Sequence, residues 1–222
     1  MEKAVVLVLV SGGVDSTTLL HYVVKELGRE VKALTILYGQ KHSKEIECST
    51  YQCNLLGVPF EIIDLSLLAP YFSSSSLVGK EEVPDVVEVM GDPQPSTYVP
   101  NRNMLFLALA AAYAENLGIQ EVYYGAQKHD LYGYWDTTPQ FLQALNDVFS
   151  LNRKNGIQIL APFVDYTKTD VVRKGLELGV DYAHTWSDYF GREKASRHSA
   201  TSAERLKAFA ELGIEDPLEY ED

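Results

Sequence analysis

Ser11-Gly12-Gly13-Val14-Asp15-Ser16, with Thr17 behind it, is the stretch of this chain best suited to chemistry on an anion. Its two glycines remove the side chains that would hold a phosphate away from the backbone, and Ser11, Ser16 and Thr17 add hydroxyl donors. Val5 to Val10 before it are six apolar residues, four of them valine, which reads as a buried strand. After it, Leu19, Leu20, Tyr22, Val23, Val24 and Leu27 recur at helical spacing until Gly28 stops them. A strand therefore delivers a glycine turn into a helix, whose first turn offers unpaired N–H groups and a positive dipole end. The Gly-Lys-Ser/Thr ending of a Walker loop is absent, and no third glycine completes a dinucleotide fingerprint.

The elements that must position this loop alternate along the chain. Strands are predicted over 32–38, 59–64, 120–124 and 157–160, and helices over 42–56, 101–117, 138–151, 167–178 and 202–212. Such alternation builds a mostly parallel sheet covered on both faces. The 101–117 helix is apolar almost all round, which predicts burial on every side. Residues 66–95 break the rhythm with four consecutive serines (73–76), prolines and the acidic Glu81, Glu82, Asp85 and Glu88. A long irregular stretch of this kind is either a functional lid or a surface excursion. The expected organisation is one α/β domain over 1–182, carrying that insertion, and a C-terminal loop and helix over 183–222.

At 222 residues, 46% hydrophobic and 23% charged, the chain can bury one sizeable core. No run approaches the ~20 apolar residues that span a bilayer, and Met1-Glu2-Lys3 opens no secretory pattern, so a cytoplasmic location is expected. A net charge of −12 favours a small-molecule substrate over a nucleic acid, with Arg192, Lys194, Arg197, Arg205 and Lys207 as the alternative basic patch. Cys48 and Cys53 fall in one predicted helix and read as small structural residues; neither redox chemistry nor a zinc cluster is indicated.

Ligands of a parallel sheet sit beyond the carboxyl ends of its strands. Three further clusters join the glycine loop there: Tyr38-Gly39-Gln40-Lys41-His42-Ser43-Lys44-Glu45, Thr97-Tyr98-Val99-Pro100-Asn101-Arg102-Asn103, and Gly125 to Asp136 with Asp130, Tyr134 and Trp135. The glycine loop matches the PP-loop of ATP pyrophosphatases, which split ATP between the α and β phosphates. The ordered set, with Pro162, Lys168 and Thr185-Trp186-Ser187, resembles the 7-cyano-7-deazaguanine synthase family over nearly the whole chain. The resemblance implies a Rossmann-like, doubly wound sheet of the adenine-nucleotide α-hydrolase type, a homodimer, and ATP and Mg²⁺ as cofactors. It implies adenylation of the carboxylate of 7-carboxy-7-deazaguanine, attack by ammonia to give the amide, and a second activation that yields the nitrile. Ser11, Gly12, Gly13, Asp15, Ser16, Thr17, Tyr38, Gln40 and His42 would then hold nucleotide. Arg102 would clamp a phosphate or the substrate carboxylate, Lys168 would reach the departing pyrophosphate, and Asp15, with Asp170 as a second candidate, would hold Mg²⁺. Asn103, Asp130, Tyr134, Trp135 and Asp136 would meet the purine-like base by stacking and hydrogen bonding.

The chain departs from the family at its structural zinc. The positions of the family's zinc-binding cysteines fall at Asp188, Ser196, Ser199 and Ser202, and none is cysteine. Hydroxyls are poor zinc ligands and Asp188 with His198 cannot complete a tetrahedral set, so no structural zinc is expected. Packing of Trp186, Tyr189, Phe190, Leu206 and Phe209, with ion pairs of Asp188 to Arg192, Arg197 or Arg205, would replace it. Two alternatives follow. The rebuilt segment could signal a paralogue that stops at the amide or passes the activated carboxylate to another amine, including one on a protein. The fold could also serve a non-catalytic nucleotide-binding regulator, against which Asp15, Ser16, Arg102 and Lys168 all stand.

Overall fold

The computed structural model describes residues 4–40, 44–79, 95–128, 134–188 and 193–221. Five parallel strands form one sheet in the order β3-β2-β1-β4-β5: β1 Val5–Leu9, β2 Glu30–Leu37, β3 Phe60–Asp64, β4 Glu121–Tyr123 and β5 Gln158–Leu160. Their helices are α1 Val14–His21, α2 Lys44–Leu56, α3 Arg102–Leu117, α4 Pro139–Phe149, α5 Lys168–Glu177 and α6 Ala200–Glu211. In β1, Val6, Leu7 and Val8 are all fully buried, because both faces of the sheet are covered. Alternate residues divide between two cores. Val6 and Val8 meet Leu19 and Leu20 of α1, Cys53 of α2, Val171 and Val172 of α5, and Phe209 of α6. Leu7 joins Leu34 and Ile36 of β2 against Leu107, Ala110, Ala111 and Ala114 of α3 and Phe141 and Leu145 of α4. The fold is thus the doubly wound α/β sheet expected from the alternation of elements.

Several local expectations are revised. The first helix starts at Val14, within the glycine-loop run itself, and widens into a π turn over Tyr22–Glu26 before Gly28. α3 is not buried all round: Met104, Ala108, Ala112 and Leu117 lie exposed on its outer side, since only its inner stripe meets the sheet. The first part of the 66–95 stretch is packed rather than loose. Ser66–Phe72 forms a 3-10 helix, Ser75 and Ser76 are buried, and Phe72 and Leu77 pack with Tyr38 and Val99. Residues 80–94, including its acidic run, lie outside the described residues.

The tail helix α6 buries its apolar stripe internally, through Ala208 and Phe209 in the same core as β1. It begins at Ala200 with the Ser199 hydroxyl capping Ser202 N–H. Trp186 packs with Ala195 and Leu218, and Ala195 pairs with Tyr220 in an isolated bridge; Tyr189, Phe190 and Arg192 lie outside the described residues. The four serine and aspartate positions are buried and hydrogen-bonded: Ser196 N–H donates to Asp188 Oδ2 (3.3 Å), Ser199 Oγ to Ser202 Oγ (2.8 Å), and Ser202 Oγ to the Ser187 carbonyl (3.0 Å). These groups do not fit a zinc ion, because three of them are hydroxyls, poor zinc ligands, already engaged with one another or with the backbone. Arg205 does not pair with Asp188. Its buried guanidinium instead grips Asp216 through Nε (2.7 Å) and Nη2 (2.8 Å) and reaches Thr185 and the Tyr182 carbonyl. Both thiols are pushed up to about 11 by burial, in keeping with structural cysteines. Among the described residues no helix is long and apolar enough to cross a membrane.

Candidate active site

Between β1 and β4 the strand order reverses, so the loops after them splay apart and leave a crevice. A cavity of about 280 Å³ lies there, lined from the ends of β1, β2 and β4 and from the starts of α1, α2, α3 and α5.

The glycine loop forms its floor. Ser11 N–H donates to Ser16 Oγ (3.0 Å), Gly13 N–H to Ser11 Oγ (3.3 Å), and Trp186 N–H to the Gly12 carbonyl (2.9 Å). Gly12 adopts φ +90°, and a Cβ there would overlap the Glu45 carbonyl oxygen, so only glycine lets α2 pass this close. Gly13 caps α1 without a side chain, which leaves the first-turn N–H groups with no side-chain cap at the cavity floor. Asp15 in that turn receives both Oδ atoms' partners from one ammonium, Lys168 Nζ at 2.8 and 2.7 Å. Lys168 is the first residue of α5, held in place by a capping box between Thr167 and Asp170. Asp170 is therefore corrected as a metal candidate: it is spent on Thr167 and Arg173 and does not line the cavity.

Another part of the lining is built around Arg102. Its Nη1 donates to Tyr38 Oη (3.2 Å), and its guanidinium lies 5.5 Å from the Tyr38 ring centroid. Tyr38 N–H is held by Gln40 Oε1 (2.9 Å), which turns the chain after β2 back over the cavity. Asp136, only 3% exposed, is pushed up by burial, opposed by the Arg102 charge and by hydrogen bonds from Asn103. Tyr134 bonds Thr97 (3.0 Å) and stacks on Tyr98. Glu45 faces the same space; desolvation pushes its carboxyl from 4.5 to about 7, again opposed by Arg102.

The cavity thus gathers Ser11, Gly13, Asp15, Ser16, Tyr38, Gln40, Arg102, Asn103, Tyr134, Asp136 and Lys168. Gly12 serves by close approach rather than by lining it. Two expected residues are not brought there. Thr17 is fully buried: one step past Ser16 rotates the side chain by about 100°, from cavity into core. Trp135 points outward, 42% exposed, edge-on to Phe141 and donating to Tyr98 Oη (2.9 Å). His42 and Asp130 lie outside the described residues. Sequence reasoning assigned no role to Glu45, although it closes the Tyr38 cluster, nor to Tyr124, whose buried hydroxyl has no partner among the described residues and whose residue lines the cavity. From the C-terminal segment Ser187, the end of the Thr185-Trp186-Ser187 run, lines it too, as do Thr201 and Glu204, which no signal in the sequence marked.

The family model described as "Queuosine biosynthesis protein QueC" matches residues 3–213. The chain belongs to the QueC family. A 7-cyano-7-deazaguanine synthase of Caldicellulosiruptor bescii is 44% identical over 214 residues, covering 96% of each chain. One of Marinomonas sp. is 42% identical over 220 residues, covering 99% of each. Among solved structures, an NH3-dependent NAD synthetase of Campylobacter jejuni is similar with a TM-score of 0.50 at 16% identity, over 83% of this chain and 67% of that one. The U34-tRNA thiolase NcsA of Methanococcus maripaludis gives 0.50 at 11%, over 94% and 66%. At such identity these two speak for the shared fold alone, and the QueC family membership rests on the sequence relatives.

Proposed function

We propose that this protein adenylates the carboxylate of 7-carboxy-7-deazaguanine with ATP, and that ammonia then converts the activated carboxylate to the amide and, after a second activation, to 7-cyano-7-deazaguanine. The observation that carries this reading is that one cavity is lined by two cationic groups: Lys168, paired to Asp15 beside the glycine loop, and Arg102, bonded to Tyr38 after β2. The loop N–H groups and Ser11 and Ser16 suit phosphate oxygens. Lys168 suits the β and γ phosphates as charge builds on departing pyrophosphate, and Arg102 suits the carboxylate that attacks the α-phosphorus. Mg²⁺ would be held by Asp15 together with phosphate oxygens, since a single carboxylate plus phosphate is a common setting for this ion; among the described residues no cluster of protein ligands holds a metal by itself. Tyr134, Asn103, Asp136 and the unpartnered Tyr124 hydroxyl suit the base, through one stacking face and several hydrogen-bonding edges.

A second reading is favoured by Ser187, Thr201 and Glu204, which bring the rebuilt C-terminal segment into the cavity wall. The same activated carboxylate would pass to a different amine, or the reaction would stop at the amide. Incubation with ATP, Mg²⁺, 7-carboxy-7-deazaguanine and ammonium, followed by mass spectrometry, separates these. Nitrile with AMP supports the first reading, amide alone or AMP without a small-molecule product supports the second, and no substrate-dependent AMP overturns both.

A further inference from the structure

We propose that Glu45 is the proton acceptor for the incoming amine: its carboxylate draws ammonium into the cavity beside Arg102 and takes the proton that ammonia must lose before it can attack. This rests on the adenylation reading above and assigns a residue to its second half.

Among the described residues the cavity is lined by four carboxyl groups, Asp15, Glu45, Asp136 and Glu204, and they are not equivalent. Asp15 is held at both oxygens by Lys168. Asp136 accepts from Asn103 and is almost sealed. Glu204 is engaged by a neighbour. Glu45 accepts no hydrogen bond from any described side chain, although it lines the cavity. A carboxyl without donors has its lone pairs available to a cation that brings its own N–H groups. Its backbone is fixed, because the Glu45 carbonyl packs directly on Gly12 of the phosphate-binding loop. The titratable groups acting on it are Arg102 of α3, Tyr38 after β2 and Cys48 one turn along α2. Arg102 is the group assigned to the substrate carboxylate, and its charge acts on Glu45 within the shared cavity.

The chemistry needs such a group. Ammonium has no lone pair; it transfers one proton to Glu45, and the resulting ammonia forms the C–N bond. The bond from the carbonyl carbon to the AMP oxygen breaks, and AMP leaves with that electron pair. The nitrogen sheds its extra proton to solvent, and Glu45 returns its own through the cavity mouth. Ammonium is a far weaker acid than an ordinary carboxylic acid, so a carboxylate at its usual value is a poor acceptor. Desolvation, which pushes Glu45 to about 7, narrows that gap while leaving a large ionised fraction at neutral pH.

The test compares the full-length protein with Glu45→Gln in three assays. The first is ATP–pyrophosphate exchange with 7-carboxy-7-deazaguanine and no amine. The second is amide formation with ammonium between pH 6 and 9, and the third uses hydroxylamine, an amine already uncharged at neutral pH. The expected result is that exchange persists, ammonium-dependent kcat/KM at neutral pH falls by about 10²-fold or more, and hydroxylamine gives hydroxamate in both proteins at similar rates. The variant's pH profile should also follow the free-ammonia fraction alone. Ammonium-dependent turnover that stays within a few-fold of wild type overturns the role. So does exchange falling in parallel with amide formation, which would place Glu45 in adenylation or in folding; a urea midpoint on each protein tells those two apart. Absence of exchange in the wild type instead overturns the adenylation reading, and this role with it.

Discussion

Asp216→Asn is expected to be among the most damaging single substitutions outside the cavity. Arg205 and Asp216 form an ion pair whose side chains are only 1% and 2% exposed. Arg205 makes five hydrogen bonds there, two to Asp216, two to Thr185 and one to the Tyr182 carbonyl. Asp216 also accepts from Tyr220 Oη (2.7 Å) and Leu218 N–H (3.0 Å), so the pair ties the last residues to the loop before α6. Removing one partner strands a buried guanidinium, which costs about 3–5 kcal/mol. For a chain of this size each kcal/mol moves the melting midpoint by about 2–4 °C, so a fall of roughly 6–20 °C is expected. Replacing both partners with apolar residues (Arg205→Met with Asp216→Leu) should cost less than Asp216→Asn alone, because no charge remains buried. Glu61→Gln is the control: its pair with Lys32 is 51% exposed on the Glu61 side and, screened by solvent, should leave the midpoint close to that of wild type. Thermal and urea unfolding of the four proteins measures all of this. A midpoint for Asp216→Asn no lower than that of Glu61→Gln would refute the view that this clamp holds the C-terminal segment.

Three further outcomes are expected. Elemental analysis of purified protein should find no stoichiometric zinc, and a strong chelator should leave the melting midpoint unchanged, because Ser196, Ser199 and Ser202 bond one another and the backbone; a chelator-induced drop would contradict this. Lys168→Ala should lower substrate-dependent pyrophosphate exchange by about 10²–10³-fold while changing stability by under about 1 kcal/mol, since the pair with Asp15 is partly solvated; an equal loss of stability would make the pair structural. Glu45 titrates near 7 when folded against 4.5 unfolded, so the stability of its protonated form is present at acid pH and lost as pH rises through 7. Glu45→Gln should therefore be more stable than wild type at pH 8, by about 2 kcal/mol after discounting for solvent, and the gap should shrink as pH falls through 7 and close below the unfolded value of 4.5; a gap that widens toward acid pH would show the opposite environment.

The glycine-loop half of the site was legible in the sequence because it is local. Strand, glycine turn and helix start occupy one short run, and residue types there answer to backbone geometry that neighbours in sequence impose. The alternation of strands and helices likewise gave the doubly wound sheet, since a parallel strand needs a crossover and the crossover needs a helix. Tertiary structure decided the rest. Where α1 begins set whether Thr17 faced cavity or core, a matter of helical phase that no residue type encodes. The short helix Trp135–Thr137 sends Trp135 outward while Tyr134 and Asp136 turn in, which depends on its packing against Phe141. Glu45 and Gly12 meet only because α2 crosses the glycine loop, and Arg205 chose Asp216 over Asp188 because the chain end folds back beside α6. Each is a contact between segments far apart in sequence, where burial and the geometry of approach select among partners of equal chemical merit.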